Sequence, residues 1–219
     1  MLRSFATSRP RFLLAVVLLL VTVVRTDQTF ADDPARSEKL ETATFGGGCY
    51  WCTEAIFQQI DGVQSVKPGF MGGRSDSPTY DQVLTGRTGH VEVVQLQFDP
   101  ERVGYEKLLE IFWKTHDPTT RNRQGPDLGS QYRSVVFYHS DDQKQTAIEY
   151  KTLLARSRTF RGRIVTTIEP ASEFFVAKDD HIDFFKKNPE NQYCERYLVP
   201  KLEKLKKQFP DDLKDHSSK

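Results

Sequence analysis

Hydrophobic and polar positions change period several times along the chain, and each change marks an element. Thr42 to Phe45 is a short apolar run ending at Gly46-Gly47-Gly48, the pattern of a strand entering a turn. From Cys49 to Ile60, the residues Cys52, Ile56, Phe57 and Ile60 recur at the spacing of one helix face. Asp61-Gly62 stops that pattern, and Val63 to Met71 reads as extended. A polar loop then leads to a short helix near Asp81–Leu84. In His90 to Phe98, Val91, Val93, Gln95 and Gln97 alternate with Glu92, Val94, Leu96 and Phe98. This period of two predicts a half-buried strand, ended by Asp99-Pro100.

Tyr105 to His116 is an amphipathic helix with Leu108, Leu109, Phe112 and Trp113 on its inner face. Asp117 to Gln131 has no period and is rich in Asp, Gly, Pro and Arg; so long an irregular stretch inside a domain predicts a functional loop. Strands are expected at Arg133–Tyr138 and Ile164–Ile168, and helices at Asp141–Ala155, Asp179–Lys186 and Val199–Phe209. Cys194 falls near the end of a coil, and Pro210–Lys219 is a charged tail. Strands and helices alternate without segregating. The expectation is one α/β or α+β domain, with helices packed on a mixed sheet.

The N-terminus follows a different logic. Arg3, Arg9 and Arg11 precede an apolar run from Phe12 to Val24, and Thr29-Phe30-Ala31 puts small residues where a signal peptidase requires them. The run is shorter than the roughly 17–25 residues that span a bilayer. Residues 1–31 are therefore expected to be a signal peptide and 32–41 a linker, with the protein exported to a periplasm or the exterior. An uncleaved N-terminal membrane anchor is the alternative. A folded domain is expected from Thr42 onward, and 201–219 form a C-terminal helix and charged tail. Without residues 1–31, the 31 basic and 30 acidic side chains fall to 27 and 29. Such a balance lacks the basic field that non-specific nucleic-acid binding needs. Three cysteines are too few for a disulfide-stapled scaffold, and an odd thiol in an oxidising compartment suggests chemistry.

Two of the three lie in GGGCYWCTEAIF. Glycines before a helix permit unusual backbone angles, and they put Cys49 at the helix N-terminus, where a thiol is pushed toward thiolate. No phosphate-loop pattern is present. Cys52 reads either as a small buried hydrophobe or as the partner in a redox C-x-x-C pair. Tyr50 and Trp51 could wall a reactive sulfur with apolar surface. A zinc site from Cys49, Cys52, Cys194 and His90 lacks recognisable spacing, and HVE follows the cysteines instead of preceding them as a zinc deaminase requires. On these residues alone, a disulfide oxidoreductase, a zinc-binding module and a lone thiol nucleophile stay open. Glu92, Tyr80 and Tyr132 read, on type alone, as an exposed strand residue and two packing aromatics.

GGGCYWCTEAIF, GFMGG, SPTYDQVLTGRTGHVEVV, FWKTHDPTTRNRQGPDLGSQYRS and NPENQYC, in this order, resemble peptide methionine sulfoxide reductases of the A type. The resemblance spans roughly Thr42 to Pro200. It implies a two-layer sandwich with a ferredoxin-like core wrapped by irregular coil, and a thiol mechanism without metal or organic cofactor. Cys49 would be the nucleophile on sulfur and Glu92 the acid. Tyr80 and Tyr132 would donate hydrogen bonds to the sulfoxide oxygen. Tyr50 and Trp51 would hold the S-methyl group; Phe is the commoner residue at position 50. Asp127 would contact the substrate backbone or order the site. Cys194 would resolve the sulfenic acid as an exposed coil residue able to travel, with Cys52 as the alternative or as a relay. The implied substrate is methionine S-sulfoxide, free or in proteins. The implied partner is a thioredoxin-like dithiol donor, and the protein is expected to act as a monomer.

Overall fold

The computed structural model describes residues 39–215. The expected signal peptide and most of the linker lie outside the described residues. Among the described residues, no helix is long and apolar enough to cross a membrane.

The chain forms β1 (Glu41–Gly47), α1 (Tyr50–Phe57), β2 (Val63–Met71), α2 (Tyr80–Leu84), β3 (Val91–Phe98) and α3 (Tyr105–Thr115). A two-residue hairpin follows, β4 (Arg123–Gln124) with β5 (Asp127–Leu128), then β6 (Ser134–Tyr138), α4 (Asp141–Ser157) and β7 (Thr167–Pro170). The last elements are β8 (Phe175–Val176), α5 (Phe184–Lys187) and α6 (Val199–Gln208). The six-stranded sheet has the order β7-β6-β1-β3-β2-β8. Its neighbours are antiparallel except for the parallel pair β6–β7, so the sheet is mixed as expected. Elements β1-α1-β2-β3-α3-β6, in the strand order β6-β1-β3-β2, form a split βαβ unit of ferredoxin-like type.

Two hydrophobic clusters hold this sheet. The larger joins Phe45, Val94, Leu96 and Phe98 to Ile56 and Phe57 of α1, to Leu108, Phe112 and Trp113 of α3, and to Leu202 and Leu205 of α6. The smaller covers the opposite face with Met71, Val91, Val93, Val135 and Phe137, against which Phe174 packs. Each fully buried Phe or Leu contributes on the order of 1.5–3 kcal/mol. The strand expected to be half-buried, β3, is therefore the sheet's centre. Val91 to Val94 are buried on both faces, and only Gln95 and Gln97 keep some exposure.

Four local expectations are corrected. The strand expected at Ile164–Ile168 pairs only from Thr167, because Val165 gives its N–H to Pro118 instead of to the sheet. The helix expected from Asp179 begins at Phe184, since Asp183 takes a left-handed φ of 55°. The pair Phe175–Val176 adds an edge strand to β2 that no periodicity foreshadows. Finally, Cys194 is not in an exposed coil. It is 0% exposed and opens a π-helical turn, Cys194–Leu198, leading directly into α6. Pro200 has no N–H to return to the carbonyl of Arg196, and the turn before it widens.

Candidate active site

The site is built where β1 ends. Gly48 takes φ +95°, and a Cβ there would meet the Gln124 side chain at 2.5 Å, so the chain turns here only with glycine. Cys49 follows as the N-cap of α1, and its carbonyl accepts the N–H groups of Cys52 (3.2 Å) and Thr53 (3.4 Å). Two free donors of the first turn point at chemistry. Tyr50 N–H donates to Glu92 Oε2 at 3.1 Å, and Trp51 N–H donates to the Cys49 sulfur.

Strand parity explains Glu92. It shares a face with Val94, Leu96 and Phe98 and stands opposite Phe70 of β2, so it points into the layer beneath α1 and is 1% exposed. An exposed carboxylate, the reading from residue type alone, is corrected. Burial pushes the Glu92 carboxyl up to about 8, with Tyr50 N–H opposing and Asp127 and Cys52 adding to the rise. At neutral pH it holds a proton.

The expected thiolate at Cys49 is also corrected. Cys49 is 8% exposed, and burial, the Cys52 thiol and Glu92 together raise it well above the ordinary thiol range. The Trp51 N–H works against that rise, but one donor does not offset full desolvation. These surroundings favour the neutral thiol over the thiolate.

Around this pair the remaining expected residues converge. Tyr80 opens α2 and Tyr132 ends a 3₁₀ turn, Ser130–Tyr132; both feel Glu92 and Cys49. Burial is the main cause that raises each phenol, Tyr80 to about 12, so both keep a donor hydrogen. Asp127 on β5 accepts the Tyr193 hydroxyl at 2.6 Å. Tyr50 is buried, with its hydroxyl 2.9 Å from His181 Nδ1. Trp51 stacks face to face on Phe184, centroids 3.7 Å apart and planes 7° apart. Among the described residues, no group of three or more His, Cys, Asp and Glu side chains is arranged to hold a metal ion.

A family model for peptide methionine sulfoxide reductase matches residues 41–213. The chain belongs to this family. Similar members include the peptide methionine sulfoxide reductase MsrA of Sulfolobus acidocaldarius, 51% identical over 78% of this chain and 97% of that one. The MsrA of Methanothermobacter thermautotrophicus is 54% identical over 73% of this chain and 95% of its own length. Among solved structures, Mxr1 of Saccharomyces cerevisiae in its reduced form superposes with a TM-score of 0.66 at 34% identity, covering 75% of this chain and 93% of that one. Methionine sulfoxide reductase A of Corynebacterium diphtheriae gives 0.61 at 36% identity, covering 68% and 76%.

In this reductase, several residues of the site escaped the sequence reading. His181 lies 4.4 Å from the Tyr80 ring, centroid to centroid, and Phe184 backs Trp51; neither carried a periodic signal. Tyr193 bonds Asp127 and reaches the Cys52 thiol, and it sat unread inside NQYC. Glu54, two residues after Cys52, is 1% exposed and accepts the Asp183 N–H at 2.9 Å. A charged residue two places beyond Cys52 in an apolar helix was the available signal, since a buried Glu needs a partner.

Proposed function

We propose that this methionine sulfoxide reductase works through a thiol cycle at Cys49 with Glu92 as the acid. The substrate is methionine S-sulfoxide, free or in proteins, and the product is methionine. The Cys49 sulfur attacks the sulfoxide sulfur while the protonated Glu92 gives its proton to the sulfoxide oxygen. Glu92 recovers a proton from the Cys49 thiol. Sulfoxide sulfur gains two electrons, Cys49 sulfur loses two, and the oxygen ends on Cys49 as a sulfenic acid. One observation carries this reading: a buried carboxyl held near pH 8 shares the N-terminal turn of α1 with the only cysteine at its N-cap.

The hydroxyls of Tyr80 and Tyr132 polarise the S–O bond as preorganised donors. The face of Trp51, backed by Phe184, receives the S-methyl group beside the buried Tyr50, and Asp127 with Tyr193 orders the substrate backbone. A second thiol closes a disulfide with release of water, and Cys194 presents the bond that a thioredoxin-like dithiol reduces. The domain acts as a monomer. Residues 1–31, with the basic opening and apolar run of a signal peptide, direct export to a periplasm or the exterior.

The test follows separated epimers of N-acetyl methionine sulfoxide with dithiothreitol. The wild type should consume the S epimer alone, and Cys49→Ser should consume neither. Turnover surviving in Cys49→Ser would refute the nucleophile.

A further inference from the structure

Tyr50 has a polar end that a methyl pocket does not use. The residue is 1% exposed, with its ring 5.8 Å from Phe70, so its hydroxyl hydrogen has to find an acceptor inside the protein. Nδ1 of His181 stands 2.9 Å away, 131 residues along the chain. Burial and then Glu92 raise the Tyr50 phenol, which keeps its hydrogen. Burial draws the His181 imidazole below its ordinary value, with Asp180 opposing and Lys178 adding, so the ring is neutral at neutral pH. Were Nδ1–H the donor, the phenol hydrogen would be buried without an acceptor. Tyr50 therefore donates, and the imidazole carries its proton on Nε2, 3.9 Å from the Asp180 carboxylate.

His181 in turn bears on Tyr80. That tyrosine opens a five-residue helix that buries Val83 and closes its capping box within itself, between Thr79 and Gln82. Neither tie reaches the phenol ring. The ring packs instead on His181, centroids 4.4 Å apart and planes 46° apart. His181 is fixed at its main chain by its N–H to Lys178 O at 2.9 Å, and at its ring by Tyr50. Tyr50 also gives its own N–H to Glu92 Oε2. One residue thus holds the carboxyl through its backbone and reaches the Tyr80 phenol through its side chain.

We infer that Tyr50 is a positioning residue for the reduction: its hydroxyl holds His181 in one tautomer and one orientation, and His181 holds the Tyr80 ring where its hydroxyl meets the sulfoxide oxygen. This rests on the reading of Tyr80 as a donor to that oxygen. An imidazole turns in a broad well about its last torsion unless one of its nitrogens is bonded. Without the Tyr50 hydroxyl, the surface against Tyr80 is free to turn, and a donor that must be aimed before reaction loses part of its worth. Tyr50 and His181 act on the oxygen through Tyr80 alone.

The experiment uses the full chain in two measurements. Nitrogen NMR of histidine-labelled protein at neutral pH reads the tautomer; of the five histidines, His181 is the one missing in His181→Asn. The wild type should show a protonated Nε2 and an accepting Nδ1, and Tyr50→Phe should lose that single tautomer. Kinetics with N-acetyl methionine S-sulfoxide and dithiothreitol then form a double-mutant cycle. Wild-type turnover and its loss in Tyr80→Phe, at least about tenfold in kcat/KM, report on the proposed reaction and its donor; if either is absent, that reading fails and takes this inference with it. Tyr50→Phe should lower kcat/KM by about three- to tenfold alone, but less than about twofold when Tyr80 is already Phe. His181→Asn keeps an acceptor for Tyr50 and removes the ring against Tyr80, so it should behave in the same way. The inference is overturned if Nδ1 carries the proton in the wild type, if Tyr50→Phe or His181→Asn retains wild-type kcat/KM, or if either keeps its full effect in the Tyr80→Phe background.

Discussion

The corner formed by β1, α1 and β3 and the wrap from Ala171 to Leu198 meet around the same sulfur, yet they are held by different forces. The corner grows from the main core: Phe45, Ile56, Phe57, Val94 and Leu96 are all buried, and Cys49 and Glu92 hang from those elements. The wrap has almost no core of its own. Its helix α5 spans four residues and buries none of them. The wrap lays apolar side chains such as Phe184 and Leu198 on the main core and is pinned by polar contacts: His181 on Tyr50, Asp183 on Glu54 and Gln58, and Tyr193 on Asp127. In the proposed cycle, the bond-making groups sit on core elements, while Phe184 behind Trp51 and the recycling thiol Cys194 sit on the wrap. A cycle in which one thiol must meet another needs both kinds of support.

The sharpest way to break this contrast is at Glu92. Glu92→Ala should lower kcat/KM by roughly 10²–10⁴-fold, the range for losing a positioned proton donor. Glu92→Gln keeps a neutral, hydrogen-bonding side chain and should lose less. In the wild type, kcat/KM should fall as pH rises through about 8, where Glu92 surrenders its proton, and that alkaline limb should vanish in Glu92→Gln. The same variant should stabilise the fold. Glu92 rises from an unfolded value near 4.5 to about 8, so it favours folding below pH 4.5 and loses that contribution as pH climbs through 8. At pH 7 the loss is on the order of 3 kcal/mol. A Glu92→Gln melting temperature below that of the wild type at pH 8 would show that the corner does not carry this cost.

The same contrast decides what the sequence could reveal. The corner was legible because its elements are set by period: the alternation in HVEVVQLQF put Glu92 on the face of Val94, Leu96 and Phe98. Residue type alone argued for solvent, and parity was the better guide. The wrap was legible only where a motif happened to lie on it. Two-residue strands such as β8 exist because β2 offers them an edge, which no local pattern encodes. Cys194 looked like coil because NPENQY is polar, yet Asn191 starts a helical segment that buries the cysteine. Expecting a thiolate at Cys49 failed for a related reason: helix position is local, whereas burial is decided by the whole fold.

A smaller effect should come from the recognition side. Phe184→Ala removes the ring behind Trp51, so KM for the S epimer should rise by about tenfold while kcat changes far less, as expected for lost binding. A fall in kcat at constant KM would instead place Phe184 in the chemical step, and the division between corner and wrap would fail.

The smallest effect tests the pin between the two regions. Glu54 belongs to α1 but accepts N–H groups from Asp183 and Phe184, so one carboxyl fastens the rigid corner to the start of α5. Burial pushes it up to about 7, with the Asp183 and Phe184 N–H groups opposing. Its contribution to stability is therefore complete below pH 4.5 and is lost as pH rises through 7. Glu54→Gln keeps an acceptor and removes the titration, so the drop in melting temperature between pH 5 and pH 8 should shrink by a few degrees. Its KM should change by less than about threefold. Glu54→Ala leaves the two N–H groups of the wrap without that acceptor, and should raise KM several-fold with little change in kcat, because Phe184 and His181 lose their anchor while Cys49 and Glu92 keep theirs. If Glu54→Ala lowers kcat as strongly as it raises KM, the wrap and the corner move as one body, and the rigidity assigned to Cys49 depends on the segment that covers it.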